Sequence, residues 1–210
     1  MIVPVKRLEL AKSRLRGTLP GVDHDALVVA MAMDTLAAAL ASPAVSRALV
    51  VSGDPDIAAA AVGIGAEVIA DVPDAGLNPA LAYAAAHVRR RSVTATPPGV
   101  VALTGDLPAL RTDELTAALH AASAIRRSFV TDTAGTGTVL LAAPPGLQLE
   151  PSFGGASAAT HAASGAVDLG LAWPTLRRDV DTAADLAAAV RLGVGPRTAA
   201  AAGAPQTVVG

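Results

Sequence analysis

The sequence contains no cysteine, and only 2% of its 210 residues are aromatic. Without thiols, disulfide bonds, thiolate metal sites and cysteine nucleophiles are all excluded. With so few aromatic side chains, the core must consist mainly of alanine, valine and leucine. Charged residues make up 16% of the chain, below the usual share of about a quarter, and 52% of the residues are hydrophobic. This composition excludes a disordered chain and a coiled coil.

The chain also lacks a strong charge of either sign, with a net charge of −2 and a pI near 6.0. A general nucleic-acid binder would be basic, so no nucleic-acid partner is expected. The most apolar stretch, residues 26–41, is interrupted by Asp34 and Thr35. No run reaches the ~18–20 apolar residues of a membrane span, and the N-terminus does not have the order of a signal peptide. We therefore expect a cytoplasmic protein with no membrane partner.

Short apolar runs alternate with longer alanine-rich segments along the chain. The runs predict strands at residues 2–5, 48–52, 67–70, 99–103, 128–131 and 138–142, with a short one near 167–171. The segments between them predict helices at residues 25–41, 55–62, 79–90, 112–121, 156–164 and 182–192, several of which follow cap-competent residues, namely Asp54, Asn78 and Asp181.

This alternation favours an α/β fold with a mostly parallel sheet covered on both faces. The adjacent strands 128–131 and 138–142 predict an antiparallel hairpin inserted into that sheet. We expect one domain over residues 1–195, followed by a flexible C-terminal tail, residues 196–210.

A basic segment follows the first predicted strand, with Lys6, Arg7, Lys12 and Arg14 within nine positions. Lysine is otherwise absent, since the chain has two lysines and 14 arginines. A compact ammonium group on a flexible stem suits a phosphate oxygen, and loops at the carboxyl ends of parallel strands carry ligands. The segment is therefore a candidate polyphosphate site, although a solvated turn would have the same composition. It contains neither a P-loop nor a dinucleotide-binding pattern.

Two further segments place carboxylates after predicted strands. In LTGDLPAL, Asp106 comes directly after a buried strand, where it would either bind Mg²⁺ or cap the next helix. In RRDVDT, Asp179 and Asp181 are two positions apart and point the same way if the segment is extended. We expect Asp179 to be the second metal ligand and Asp181 to be the helix cap.

Small residues dominate two other segments, 135–138 and 153–157. Their hydroxyl and backbone N–H groups suit a phosphate or carboxylate, although hairpin turns and helix caps have the same composition. Asn78, in the segment 74–79, would either read a base edge or cap its helix. His161, four residues past Ser157, is expected to be a surface or packing residue.

Taken in chain order, these segments resemble the guanylyltransferase family of deazaflavin coenzyme F-420 biosynthesis. The resemblance rests on PVKRLELAKSRL, AGLNPAL, LTGDLPAL, GTGTVLL, FGGAS and RRDVDTAADL, which span about residues 2–195. It implies a three-layer, Rossmann-like nucleotidyltransferase fold of the GT-A-like type. It also implies transfer of GMP from GTP to a small phosphorylated three-carbon acid, with release of pyrophosphate. The acid would be phosphoenolpyruvate or 2-phospho-L-lactate, and the arginine-rich, alanine-rich, actinobacterial-looking composition favours phosphoenolpyruvate.

The resemblance also implies roles for single residues. Two aspartates match the family's Mg²⁺ ligands, and three small residues match the groups that hold the acceptor acid; the first set is Asp106 and Asp179, and the second is Thr138, Gly154 and Ser157. The basic segment would bind and offset the GTP phosphates through Lys6, Lys12 and Arg14. The guanine or ribose would lie near Gly76, Leu77 and Asn78.

The chain departs from related sequences at three points. The first strand is short, FGGAS lacks the acidic residue of some relatives, and the LxGGxSxRxG start of molybdenum-cofactor guanylyltransferases is absent. Two alternatives stay open: a Rossmann-like nucleotidyltransferase of molybdopterin or sugar-phosphate type, and a non-catalytic nucleotide-binding domain. The oligomeric state is also open, with a homodimer as one alternative.

Overall fold

The computed structural model describes residues 1–92 and 97–203. Seven strands are present within these ranges: β1 (Ile2–Pro4), β2 (Leu49–Val51), β3 (Glu67–Ile69), β4 (Val100–Leu103), β5 (Ser128–Thr131), β6 (Thr138–Ala143) and β7 (Val167–Asp168). Seven α-helices accompany them: α1 (His24–Ala41), α2 (Pro55–Gly63), α3 (Leu77–Arg91), α4 (Thr112–Ser123), α5 (Ser157–Ala163), α6 (Ala183–Leu192) and α7 (Pro196–Ala201). A 3₁₀ turn spans Leu8–Leu10.

The strands form one open mixed sheet in the order β3-β2-β1-β4-β6-β5-β7. Strands β3, β2, β1 and β4 are parallel to one another, and β7 is parallel to β5. Strand β6 is antiparallel to both β4 and β5, so the predicted hairpin lies inside the sheet. The predicted α/β fold with a mostly parallel mixed sheet is therefore confirmed.

Helices cover the sheet on both faces, because the buried strand residues alternate between two apolar clusters. One face packs α1, α2 and α4 against Val3, Val50 and Leu140. The other packs α3 and α5 against Ile2, Leu49 and Leu141. Small alanine side chains on the helices let them approach the sheet closely, which gives the predicted three layers without many aromatic residues.

Helix α1 is the one helix in the described ranges with the length and mean hydropathy of a membrane span. Its 18 residues have a mean hydropathy of 1.4, and 56% of them are buried inside the domain. This is the pattern of a core helix, because its apolar side chains contact the sheet and neighbouring helices.

The C-terminal segment corrects the prediction of a flexible tail from residue 196. Residues 196–201 form α7, which packs along α1, and Thr198 and Ala199 are buried. The buried carboxylate of Asp34 in α1 accepts a hydrogen bond from the Thr198 backbone N–H at 2.7 Å. The first turn of a helix has N–H groups without partners inside the helix, so a carboxylate there stabilises it. The packed domain therefore continues past residue 195; residues 204–210 of the predicted tail lie outside the described residues.

The predicted helix caps are confirmed at one position and wrong at two. Asp54 accepts hydrogen bonds from the N–H groups of Asp56 and Ile57 at the start of α2. Helix α3 begins after Gly76, not Asn78. The cap of α6 is Thr182, which forms a reciprocal capping box with Asp185, so Asp181 is not needed there.

Candidate functional site

A cleft of about 560 Å³ lies at the carboxyl ends of β1 and β4. The chain runs outward from β1 through β2 to β3 and then returns to place β4 on the other side of β1. Such a switch point leaves a crevice in parallel sheets, because the loops on either side diverge. The loop after β1 and the loop after β4 form its walls, and Gly154 lies at its edge.

The basic segment lines this cleft, as predicted from the sequence. After the 3₁₀ turn, Lys12 adopts a left-handed backbone conformation with φ of 48°. Such a conformation costs energy for a non-glycine residue, and it is typical of residues held in place for function. Lys6 and Arg14 line the cleft beside Lys12, so three cationic side chains converge there.

Lys12 joins two carboxylates that are far apart in the sequence. Its Nζ donates to Asp181 Oδ1 at 2.5 Å and also to Asp106 Oδ2. Burial alone would lower the pKa of Lys12, but the charge of Asp106 and the hydrogen bonds to both carboxylates raise it above its ordinary range. The Lys12 side chain therefore stays charged at neutral pH.

Asp179 is the least satisfied member of the same group. Burial and the nearby carboxylates of Asp106 and Asp181 raise the pKa of Asp179 to about 7, although Lys12 opposes the rise. The neighbouring Val180 N–H donates to the Asp106 carbonyl at 3.1 Å, which holds this segment against the β4 loop. We call Lys12, Asp106, Asp179 and Asp181 the carboxylate–lysine cluster.

The carboxylate–lysine cluster has the donor set for a divalent cation bound with phosphates. Asp106 Oδ1 is buried and has no hydrogen-bond partner, and the same holds for Thr104 Oγ1 two residues earlier. Buried polar atoms without partners are rare in folded proteins and indicate a missing ligand. No group of three or more metal-binding side chains exists in the described ranges, but Mg²⁺ needs only one or two protein carboxylates beside phosphate and water. The residues present therefore fit such an ion.

The hairpin segment at 135–137 does not have the free N–H groups expected from the sequence. Asp132 accepts hydrogen bonds from the backbone N–H groups of Gly135, Thr136 and Gly137 at 3.1, 3.0 and 2.9 Å, the first through its carbonyl and the others through its carboxylate. These groups cannot also surround a ligand. The prediction that this turn wraps an anion is wrong, because an internal carboxylate already does what the anion would do.

Thr138, at the start of β6, instead contacts a histidine. Its Oγ1 lies 2.9 Å from Nδ1 of His161, whose Nε2 accepts from the Ser152 backbone N–H at 3.0 Å. His161 is fully buried and lies against the rings of Phe129 and Phe153. It is therefore not a surface residue, and it does more than pack, since both ring nitrogens are bonded.

Asn78 holds the residue next to Ser152. Its amide donates to the Phe153 carbonyl at 3.0 Å and accepts from the Phe153 N–H at 2.7 Å. The loop before Gly154 is thus fixed at two consecutive residues from opposite sides. We call Thr138, His161, Ser152, Phe153 and Asn78 the Thr138–His161 network.

The predicted site residues divide into two groups in the structure. The first lines the cleft directly and comprises Lys6, Lys12, Arg14, Leu77, Asp106 and Gly154. The second does not line it and comprises Gly76, Asn78, Thr138, Ser157 and Asp179. Ser157 is buried at the first turn of α5, on the same helix face as His161.

Sequence reasoning missed three contributors: Asp132, Thr104 and His161. The first two carried no distinctive pattern in the sequence. The third did carry a signal, since His161 is four residues after Ser157 and such residues share a helix face. A functional prediction for Ser157 therefore also pointed to His161.

Comparison with known sequences identifies the family. The sequence model of the family described as "Guanylyl transferase CofC like" matches residues 1–193. The chain belongs to this family. It is a guanylyltransferase, in agreement with the resemblance found in the sequence motifs. A relative from Salinispora arenicola, named phosphoenolpyruvate guanylyltransferase, is 54% identical over 212 aligned residues that cover 100% of this chain and 96% of the relative.

Solved structures share the fold at low sequence identity. A nucleotidyl transferase from Methanothermobacter thermautotroptrophicus superposes with a TM-score of 0.54 at 18% identity, covering 91% of this chain and 97% of that one. A Mycobacterium tuberculosis protein solved in complex with manganese superposes with a TM-score of 0.51 at 19% identity, covering 90% and 96%. These likenesses confirm the nucleotidyltransferase-like α/β architecture of this guanylyltransferase.

Proposed function

We propose that this guanylyltransferase transfers GMP from GTP to phosphoenolpyruvate, as a step in the biosynthesis of coenzyme F-420. A phosphate oxygen of the acceptor attacks the α-phosphorus of GTP, the bond to the β-phosphate breaks, and pyrophosphate leaves. The name of the 54% identical relative supports phosphoenolpyruvate as the acceptor. The observation that carries the proposal is the cleft at the switch point, where three cationic side chains converge beside the carboxylate–lysine cluster.

The charges of the cleft suit this reaction, because two anions must meet in it. Lys6, Lys12 and Arg14 offset the repulsion between the GTP phosphates and the acceptor. They also stabilise the negative charge that develops as pyrophosphate departs. No protein nucleophile is required, which agrees with a chain that has no cysteine.

We assign Mg²⁺ to the carboxylate–lysine cluster, with Asp106 and Asp179 as the residues that would hold it. When bound, the ion neutralises phosphate charge and polarises the reacting phosphorus centre. The unpartnered Oδ1 of Asp106 and the raised pKa of Asp179 both support this assignment, because a cation would satisfy the first and lower the second.

We assign the acceptor acid to Thr138, Gly154 and Ser157, and the guanine or ribose to the surroundings of Gly76, Leu77 and Asn78. Gly154 and Leu77 both line the cleft, which supports neighbouring acceptor and nucleoside subsites. Asn78 would act there by holding the loop before Gly154, since its amide is engaged by Phe153. The small charged substrates are cytoplasmic compounds, so we place the enzyme in the cytoplasm.

The test is pyrophosphate release with GTP and Mg²⁺ against phosphoenolpyruvate, 2-phospho-L-lactate and 3-phosphoglycerate in parallel, with the product identified by mass. Release with phosphoenolpyruvate, and little with the others, is the expected result. Release with 2-phospho-L-lactate alone would replace the acceptor. Release only with another nucleotide, or none at all, would overturn the guanylyl transfer from GTP and favour one of the alternatives from the sequence.

A further inference from the structure

His161 is the buried histidine of α5, and each of its ring nitrogens has a single hydrogen-bond partner. Nδ1 lies 2.9 Å from Thr138 Oγ1, and Nε2 lies 3.0 Å from the Ser152 backbone nitrogen. The side chain is 0% exposed, and the rings of Phe129 and Phe153 flank it at centroid distances of 5.9 and 5.3 Å. The imidazole therefore has no room to rotate to other partners.

These two contacts determine where the imidazole proton lies. A backbone N–H can only donate, so Nε2 must be the unprotonated nitrogen that accepts from Ser152. Neutral imidazole has one N–H group, which must then be on Nδ1 and donate to Thr138 Oγ1. Burial, together with the nearby charge of Arg127, lowers the pKa of His161 and keeps it neutral.

The direction of this bond determines what the Thr138 hydroxyl can do. A hydroxyl has one proton and two acceptor positions, and Nδ1–H of His161 takes one of the acceptor positions. The hydroxyl proton itself has no protein acceptor within the described ranges, and Thr138 keeps 6% of its surface exposed. The residue is thus held as a hydrogen-bond donor, which is the form that an anionic ligand requires.

The second contact of His161 acts on the loop that leads to the cleft. By accepting from Ser152, the ring fixes the residue two positions before Gly154. Asn78 fixes Phe153, the residue in between, through both groups of its amide. Gly154 itself lines the cleft with a left-handed φ of 106°, a conformation that only glycine adopts readily.

We propose that His161 is a positioning residue for the acceptor acid, acting through Thr138 and through the loop that ends at Gly154. It holds the Thr138 hydroxyl as a donor toward the anionic groups of the acceptor and keeps the Gly154 backbone in place beside them. This inference rests on the proposed function, in which Thr138, Gly154 and Ser157 bind the acceptor.

Two substitutions separate the contacts of His161. In His161→Asn, the amide nitrogen takes the place of Nδ1 and keeps a donor for Thr138, while the acceptor for Ser152 is lost. In His161→Gln, the amide reaches the place of Nε2 and keeps an acceptor for Ser152, while the donor for Thr138 is lost. A hydrogen bond to a charged group is worth about tenfold in binding or more, so His161→Gln should raise the KM for phosphoenolpyruvate about tenfold.

The KM for GTP should stay within about twofold in both variants, because the carboxylate–lysine cluster does not contact the ring. His161→Asn should retain more of the acceptor affinity than His161→Gln. The exposed His120 on α4 provides the matched control, His120→Gln, which should leave both KM values unchanged. Equal rises in both KM values, or equal losses in the Asn and Gln variants, would show a merely structural role.

A double variant and a spectroscopic measurement make the test independent of folding defects in one variant. Once Thr138→Val has removed the hydroxyl, adding His161→Gln should raise the acceptor KM by much less than it does alone. In wild-type protein, ¹⁵N NMR should show the neutral Nδ1–H tautomer of His161 at pH 7. Additive effects in the double variant, or the Nε2–H tautomer, would overturn the inference. Absence of guanylyl transfer by wild-type enzyme would instead overturn the proposed function.

Discussion

The carboxylate–lysine cluster and the Thr138–His161 network are built on opposite physical principles. In the first, Asp106, Asp179 and Asp181 share a single ammonium group, and one buried carboxylate oxygen has no partner. In the second, the buried imidazole of His161 is neutral, and both of its nitrogens are bonded. One region has an excess of unmet charge, and the other is uncharged and internally satisfied.

This difference shows how one cleft can serve two kinds of ligand contact. Unmet charge is costly in the empty protein, and it is relieved when a cation and phosphates arrive. A satisfied neutral network does not change on binding, so it contributes geometry and a donor of fixed direction. The charged region is therefore suited to the reacting phosphates, and the neutral region to orienting the acceptor.

The largest effect is expected from the charged region. Asp106→Asn removes the negative charge from the oxygen that has no protein partner, so we expect turnover to fall at least ~100-fold through weaker metal binding. The measurement is kcat as a function of Mg²⁺ concentration. The control is Asp113→Asn, which alters an exposed carboxylate in the first turn of α4. Turnover close to wild type at limiting Mg²⁺ would remove Asp106 from the metal site.

A smaller effect is expected when charge is kept but shape is changed. Lys12 is nearly enclosed by its two carboxylates, and the planar, longer guanidinium of Lys12→Arg does not fit the same space. We expect kcat/KM for GTP to fall about tenfold or more.

Lys6 is the matched comparison, because it is exposed on the same cleft. Lys6→Arg should also lose activity, but less than Lys12→Arg. Full activity in both variants would mean that the two lysines are not distinguished from the arginines around them.

The two regions should also respond to pH in opposite directions. The pKa of Asp179 is raised from 3.8 to about 7 in the folded protein, so stability falls as the pH rises from about 4 to about 7. Without added metal, Asp179→Asn should remove this loss and raise the Tm at pH 8 by a few degrees, since about 1 kcal/mol shifts Tm by ~2–4 °C in a chain of this length. The Tm at pH 4 should not change. Equal shifts at both pH values would contradict the raised pKa.

The smallest effect concerns His161. Its folded-state pKa lies below the ordinary value of 6.5 because of burial and Arg127. The unfolded chain therefore binds the proton first, and stability is lost as the pH falls below about 6.5. The difference in Tm between wild type and His161→Gln should shrink as the pH falls from 7.5 to 5. A difference that does not depend on pH would show that His161 does not resist protonation.

The same division explains what the sequence could predict. Charged residues after strands stand out in a chain with little charge, so Lys12, Asp106 and Asp179 were found from spacing alone, and the resemblance supported them. The sheet and hairpin were also predictable, because buried strands and alanine-rich helices differ in residue type and length. The roles of Thr138, Gly154 and Ser157 came from the resemblance alone.

Contacts between side chains and distant backbone groups were not predictable. Asn78 looked like a helix cap because it is close to a helix start, but its partner, Phe153, is 75 residues away in the sequence. Asp181 looked like a cap for the same reason and instead binds Lys12. The segment after residue 195 looked like a tail, because the carboxylate that stabilises α7 belongs to α1.

The most direct test of the two-region account is a measurement of the KM values for GTP and phosphoenolpyruvate, side by side, in wild type, Lys12→Arg and His161→Gln. The account predicts that Lys12→Arg raises the KM for GTP and leaves that for phosphoenolpyruvate near wild type. His161→Gln should do the reverse. If both KM values rise together in both variants, the cleft acts as a single unit and the division between a charged and a neutral region is wrong.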